Sequence, residues 1–317
     1  MDEERMARTI SIQAAGVTGT GVGKSLAVAL LCRIFSEDGY KVAPFKALNL
    51  TNVTYRDEEG REFGYSQALQ AVAAGIEPDY RMNPFTPKPL GNGEFELILE
   101  GRVVERYKIS PLRLLKMGIR GIAGAEDFYN QVMESVRRCL QYLMDRYDIV
   151  CIEGSGPSKL RGIGVLSKFL DIPNMETARL ASAPVILLAN NIDSAIATYH
   201  YLPDEEKNMI KGVILNRFMQ RDLEREITED MGIPRRILDY GIRRAEKGWI
   251  KILSRGMPVE IIGYIPYLEE LSKIPDLDPL FSDRKVDMDL WRQIVPKIAK
   301  KVRKKVDIGR IYRLMGL

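Results

Sequence analysis

Six short apolar runs, each near a turn or helix signal, punctuate the chain at residues 9–15, 41–46, 148–153, 184–189, 212–216 and 259–265. Their length and apolar character predict buried strands. The segments between them space their apolar residues as helices do. The clearest is 125–147, where Val132, Val136, Leu140 and then Leu143 or Met144 mark one face. Strands alternating with helices predict an α/β fold of three layers, a mostly parallel sheet covered on both faces. Ligands of such sheets bind outside the carboxyl ends of the strands. Those ends are where the chemistry is to be sought.

Two stretches break the alternation. Residues 95–107 (FELILEGRVVERY) predict a hairpin that turns near Glu100 and Gly101 and decorates the sheet. From about Ser282 the chain is charged and has no further strand signal. Leu290, Ile294, Ile298 and Val302 recur every four residues, which predicts a helix with one apolar stripe. Lys297, Lys300, Lys301, Arg303, Lys304 and Lys305 fall on its other face, either as a solvated surface or as one that meets a partner or a phosphate. The organisation expected is one domain over 1–270 and a basic helical extension over 271–317.

Composition narrows the field. A chain of 317 residues with 45% hydrophobic content can bury a large core. It holds no run of eighteen apolar residues, and its start, MDEERMART, lacks the apolar core of a secretory signal. A cytoplasmic protein, neither membrane-spanning nor exported, is expected. A net charge of +4 suits small anions and does not call for nucleic acid. Cys32, Cys139 and Cys151 lie far apart inside apolar runs, so they read as buried small hydrophobes. The single histidine, His200, leaves no material for a histidine-based metal site.

Chemistry enters directly after the first strand, where residues 16–25 read GVTGTGVGKS. Gly19, Gly21 and Gly23 allow a tight loop whose N–H groups turn inward around phosphate oxygens. Lys24 would reach the β- and γ-phosphates, and the Ser25 hydroxyl would ligate Mg²⁺. The helix that follows, with Leu26, Leu30 and Ile34 on one face and an end at Gly39, aims its dipole at the same anion. The general P-loop pattern wants glycine where this chain has Thr18. The strand, loop, Gly-Lys-Ser and helix context holds, and the fold expected is that of a P-loop NTPase binding ATP and Mg²⁺. Glu153 ends the third strand at the same rim, as a holder of Mg²⁺ directly or through water, or as an ordinary strand-end carboxylate. Lys46 ends the second, where it would offset charge on a transferring phosphoryl group or stand as a surface lysine.

With Thr18, Thr20, Val22 and the Gly-Lys-Ser in place, the loop resembles that of dethiobiotin synthetase and of the cobyric acid and cobyrinic acid amide synthases. The segments PFKALN (44–49), FGYSQALQA (63–71), RMNP (81–84) and Lys88-Pro89 are similar to cobyric acid synthase in particular. So, in order, are IEG (152–154), DIPNM (171–175), LNRF (215–218) and GYIPYL (263–268). The resemblance spans roughly 9–270 and implies a ligase that phosphorylates a small-molecule carboxylate with ATP and lets ammonia displace the phosphate. It implies nucleotide contacts from Thr18, Gly19, Thr20, Gly21, Val22, Gly23, Lys24, Ser25 and Leu26. It also implies adenine contacts from Asn216 and Pro266, a catalytic role for Lys24, Lys46 and Glu153, and Ser25, Glu62 and Glu153 around Mg²⁺. Glu62 has Asp57, Glu58 and Glu59 as rivals in its loop.

The departures are as informative. Cobyric acid synthases carry a glutaminase domain with a cysteine–histidine pair, and no such pair is legible here, so a separate glutaminase subunit is the expected ammonia source. The family's Asp-Ile-Asp-Arg-Gly-Gly motif appears as NIDSAI (191–196), and residues 155–169 depart from its substrate loop. A corrinoid substrate, set near Lys46, Asn83 and 155–169, is therefore implied less directly than ATP. A homodimer is also implied. Two readings stay open beside this one: a dethiobiotin-synthetase-like ligase with another nucleophile, and a nucleotide-switched binding ATPase.

Overall fold

The apolar runs pair side by side. In the computed structural model, β1 (Arg8–Ala14), β2 (Val42–Phe45), β8 (Ile149–Glu153), β9 (Val185–Ala189), β10 (Ile210–Asn216) and β11 (Glu260–Ile265) form one sheet in the order β11-β10-β9-β1-β8-β2. Every pairing in it is parallel. The structure describes residues 6–16, 22–108, 125–155, 169, 171–216, 226–234, 255–266 and 284–317, with scattered positions at 236–252 and 268–277. All six predicted strands are present, displaced at their ends by no more than a residue or two.

Both faces of the sheet are covered, which is why its strands carry no polar face. On β8, Ile149 and Cys151 join the core beneath α1 (Lys24–Glu37), while Val150 and Ile152 join the one beneath α3 (Ala125–Met144). A third core gathers Leu187, Val213 and Tyr199 of α4 (Ile192–Tyr201). The exception is β1, whose Thr9, Ser11 and Gln13 are buried polar residues. They are satisfied locally: Thr9 donates to the Ala181 carbonyl at 2.9 Å and Gln13 to Ser11 at 3.2 Å. The three cysteines are free and buried, as expected of small hydrophobes.

The predicted hairpin is β6 (Glu94–Leu99) and β7 (Arg102–Lys108), turning through Glu100 and Gly101 at φ values of 48° and 80°. Two consecutive residues of positive φ match the right-handed twist of the flanking strands. A further strand, β5 (Phe85–Gly91), completes this antiparallel sheet at one edge. The short pair β3 (Thr54–Arg56) and β4 (Glu62–Gly64) leads into α2 (Tyr65–Ala74).

The extension forms two helices, α5 (Met288–Val302) and α6 (Ile308–Met315). The apolar stripe expected on α5 needs correction. Leu290 is exposed and Ile294 only partly buried, whereas Trp291, Val295, Ile298, Ala299 and Val302 form the buried face. A step of four residues turns about 400°, so a four-residue repeat drifts by about 40° per step and leaves the core face. The buried face packs into the same core as α1 and α2. Backbone bonds from Tyr264 to Lys305 and from Asp307 to Ile262 cover the outer edge of β11. No helix among the described residues is long and apolar enough to cross a membrane.

Candidate active site

Glu153 closes the apolar run of β8 with a carboxylate that has no exposed surface. A buried charge of this kind needs partners on every side, and four donors supply them. Its Oε1 accepts from the Ser25 hydroxyl at 2.9 Å and from the Lys46 ammonium at 2.8 Å. Its Oε2 accepts from Gln67 at 3.2 Å and from Gln70 at 2.5 Å. Burial alone would raise the Glu153 pKa. The Lys46 and Lys24 charges, with hydrogen bonds from Lys46 and Gln70, outweigh it and hold the carboxyl below its ordinary value.

Three elements bring these groups together. Lys46 follows β2 beside β8 and is 4% exposed, so it is a buried cation rather than a surface lysine. Ser25 lies in the first turn of α1, which begins without any side-chain cap. The first N–H groups of such a helix have no intrahelical acceptor and favour an anion. Gly23, at φ 84°, turns the chain into that helix, and a Cβ there would stand 2.4 Å from Asn216 Nδ2. Asn216, buried at the end of β10, donates to the Val22 carbonyl at 2.5 Å. Val22 and Leu26 are buried apolar side chains, which leaves backbone as their means of contact. Pro266, just past β11, is partly buried. Thr18, Gly19, Thr20 and Gly21 lie outside the described residues.

Glu62 occupies a second buried cluster. It is bonded to Thr54 and Lys88 and accepts from Arg56 at 2.7 Å. Burial raises its pKa, and the bonds from Lys88 and Thr54 with the charges of Lys88 and Arg56 carry it below its ordinary value instead. Its rival Asp57 holds Arg61 through side-chain and backbone bonds. Asn83 sits between the clusters as a pin. It donates to the Lys46 carbonyl at 2.8 Å and accepts from the Gly64 N–H at 2.9 Å and from Thr86 at 2.7 Å. The departed motif at 191–196 is the start of α4, with Asn191 capping Ser194 at 2.8 Å. Most of 155–169 lies outside the described residues.

Gln67 and Gln70 were not singled out from the sequence as site residues. The signal was present: two glutamines three residues apart in an otherwise small and apolar helix, YSQALQAVAA. Gln70 also donates to the Ser25 carbonyl at 3.2 Å, and its own Oε1 is buried without a partner among the described residues. A serine hydroxyl, a carboxylate and an unused amide oxygen form an all-oxygen set, the kind that suits Mg²⁺. The residues present therefore fit Mg²⁺ and a polyphosphate. A cavity of about 450 Å³ between the β6–β7 hairpin and α3, lined by Arg61, Tyr80, Leu99 and Arg138 among others, includes none of these groups.

A parallel sheet with Gly-Lys-Ser entering the first helix and a buried acid ending the neighbouring strand defines a P-loop nucleotide-binding domain. The chain belongs to the CobQ/CobB/MinD/ParA nucleotide binding domain family, whose pattern matches residues 14–278. It is 36% identical over 262 residues to cobyric acid synthase of Caldanaerobacter subterraneus, covering 80% of this chain and 43% of that one. It is 35% identical over 267 residues to a probable cobyric acid synthase of Methanothermobacter thermautotrophicus, covering 82% and 45%. The chain thus spans about half the length of the curated relatives it matches. The septum site-determining protein MinD of Pyrococcus horikoshii, solved with Mg-ADP, superposes with a TM-score of 0.41 at 16% identity over 94% of this chain and 97% of its own.

Proposed function

We propose that this ATP-binding domain activates a small-molecule carboxylate as an acyl phosphate and amidates it, as a cobyric-acid-synthase-like ligase. The observation that carries the reading is the buried Lys46–Glu153–Ser25 contact at the carboxyl ends of β2 and β8, next to Lys24. A substrate carboxylate oxygen attacks the γ-phosphorus of ATP, and the bond to the bridging oxygen breaks so that ADP leaves with the electron pair. Ammonia then attacks the acyl carbon, phosphate departs and a proton is lost from nitrogen.

Lys24 and Lys46 supply positive charge where negative charge builds on the phosphoryl oxygens. Glu153 takes the Ser25 hydroxyl proton in a hydrogen bond, leaving the Ser25 lone pairs for Mg²⁺. When bound, Mg²⁺ would neutralise phosphate charge, with Ser25, Glu153 and Glu62 as the groups that hold it directly or through water. Residues 18–26 cradle the phosphates, and Asn216 with Pro266 frames the base. The order of cobyric-acid-synthase-like segments supports a corrinoid or related tetrapyrrole acid as substrate, with ammonia drawn from a separate glutaminase.

The test is a screen for ADP release that depends on an added carboxylate, with ammonium present. Release stimulated by a corrinoid acid and accompanied by amide formation is the result expected. Release that needs a carboxylate but not ammonium would move the reading to another nucleophile, and carboxylate-independent turnover would remove the ligase.

A further inference from the structure

Residues 284–302 run as a strap across the back of α2 and β3, outside the residues 14–278 that match the family. Ordinary packing accounts for the later part of α5, where Val295, Ile298 and Val302 are buried in an apolar core. The earlier part, where Val286 and Trp291 are buried in the same core, adds directed polar contacts to that packing. Tyr65 donates its hydroxyl to the Val286 carbonyl at 2.6 Å, and Trp291, fully buried, donates its indole N–H to the Leu69 carbonyl at 2.8 Å. Lys285 donates to the Thr54 carbonyl at 2.7 Å and lies over the Tyr65 ring at 5.2 Å.

Thr54 bonds one candidate acid itself, and Tyr65 and Leu69 share a helix with the residues that hold the other. Tyr65 and Leu69, four apart, meet the strap from one side of α2, and Gln67 and Gln70 of the same helix hold Glu153. Thr54 bonds Glu62 through its hydroxyl while its carbonyl receives Lys285. One short segment thus backs both carboxylates without touching either. Hydrogen bonds weaken steeply with distance and angle, so a small displacement of α2 or β3 alters how both acids are held.

We propose that the strap, through Lys285 and Trp291, is a positioning element for the acids of the ATP site and sets how well they hold Mg²⁺. This rests on the ATP-site reading above. It gives the extension a task within its own chain.

The experiment measures ATP binding by calorimetry across a Mg²⁺ titration, with thermal midpoints recorded alongside. It compares wild type with Lys285→Met, Trp291→Phe and, as a control, Val302→Ala. Lys285→Met and Trp291→Phe each remove one directed bond and should raise the Mg²⁺ concentration for half-maximal ATP binding roughly threefold to tenfold. Val302→Ala loosens the far end of α5 and should lower the thermal midpoint with the Mg²⁺ requirement unchanged. Should Trp291→Phe fail to fold, Lys285→Met, altered at an exposed side chain, carries the test. An unchanged Mg²⁺ requirement in Lys285→Met and Trp291→Phe, or an equal shift in Val302→Ala, overturns the proposal. Wild type that binds no ATP with Mg²⁺ overturns the ATP-site reading itself, and the strap's role with it.

Discussion

At the scale of single residues, the four bonds accepted by Glu153 decide how it can act. Both oxygens are engaged, so the carboxylate serves first to orient Ser25 and Lys46. Glu153→Gln keeps the shape and loses the charge, which removes the carboxylate that pairs with the buried Lys46 ammonium. Removing one partner of a buried pair costs about 3 kcal/mol or more, and urea unfolding at neutral pH should read a loss of that order. The pH dependence has a definite sign. The Glu153 pKa is lowered in the folded chain, so its stabilisation is present above the unfolded-state pKa and is lost as pH falls through the folded value. The gap between wild type and Glu153→Gln should therefore narrow in acid, and a gap that stays constant would show the charge to be irrelevant. Lys24→Ala is the complementary case. Lys24 is only partly buried and lies in no apolar core, so folding should survive while the barrier to ATP turnover rises by about 3 kcal/mol, on the order of a hundredfold in rate. Turnover at the wild-type rate would refute its assignment.

At the scale of elements, what could be read in the sequence follows from what each pattern encodes. The six parallel strands were legible because strands covered on both faces leave no polar alternation to confuse them with surface segments. The hairpin was legible from its turn. By contrast, β5 contains Pro87 and Pro89, which cannot donate to a ladder and argue against a strand, yet as an edge strand it tolerates both. The pair β3 and β4 is three residues long on each side, too short to carry a period. On α5 the Trp291 ring sets the buried face, and a repeat of four aliphatic residues misplaced it. The site divides the same way. Glu153, Lys46 and Ser25 were legible because each ends or begins an element at the same rim, whereas the role of Gln67 and Gln70 shows only once the fold sets α2 beside the Glu153 carboxylate. Gly263 offers a test of the edge cover. Its φ is 150°, and a Cβ there would stand 2.3 Å from the Lys305 carbonyl oxygen. Gly263→Ala should cost about 2 kcal/mol or more through backbone strain and a displaced 305–307 segment, read as a lowered urea midpoint. An unshifted midpoint would mean that the 305–307 segment moves away freely.

At the scale of the whole molecule, the proposed amidation raises the question of where nitrogen would come from. Releasing ammonia from glutamine through a thiol requires a thiolate that can reach the substrate. None of the three cysteines offers one. Cys32, Cys139 and Cys151 are buried among apolar neighbours in the layers flanking the sheet and within the sheet itself. Burial, with the neighbouring Cys151, pushes the Cys32 thiol well up, and burial with the Glu100 charge carries Cys139 to about 12. Neither forms thiolate near neutral pH. His200, the single histidine, is engaged with the Gly256 carbonyl at 2.5 Å, and its ring meets Tyr199 rather than a cysteine. If the proposed amidation holds, the 317-residue chain supplied with ATP, Mg²⁺ and a carboxylate substrate should therefore form amide from ammonium and none from glutamine. Adding an unrelated glutaminase with glutamine should restore amide formation to the extent that free ammonia accumulates. In the proposed amidation ammonia rather than ammonium is the nucleophile, so the rate at fixed total ammonium should also climb as pH rises from about 7 to 9. Glutamate release from glutamine by the rigorously pure chain would contradict the burial argument outright. A pH-independent rate would instead place the slow step before nitrogen enters, at phosphorylation or at ADP release.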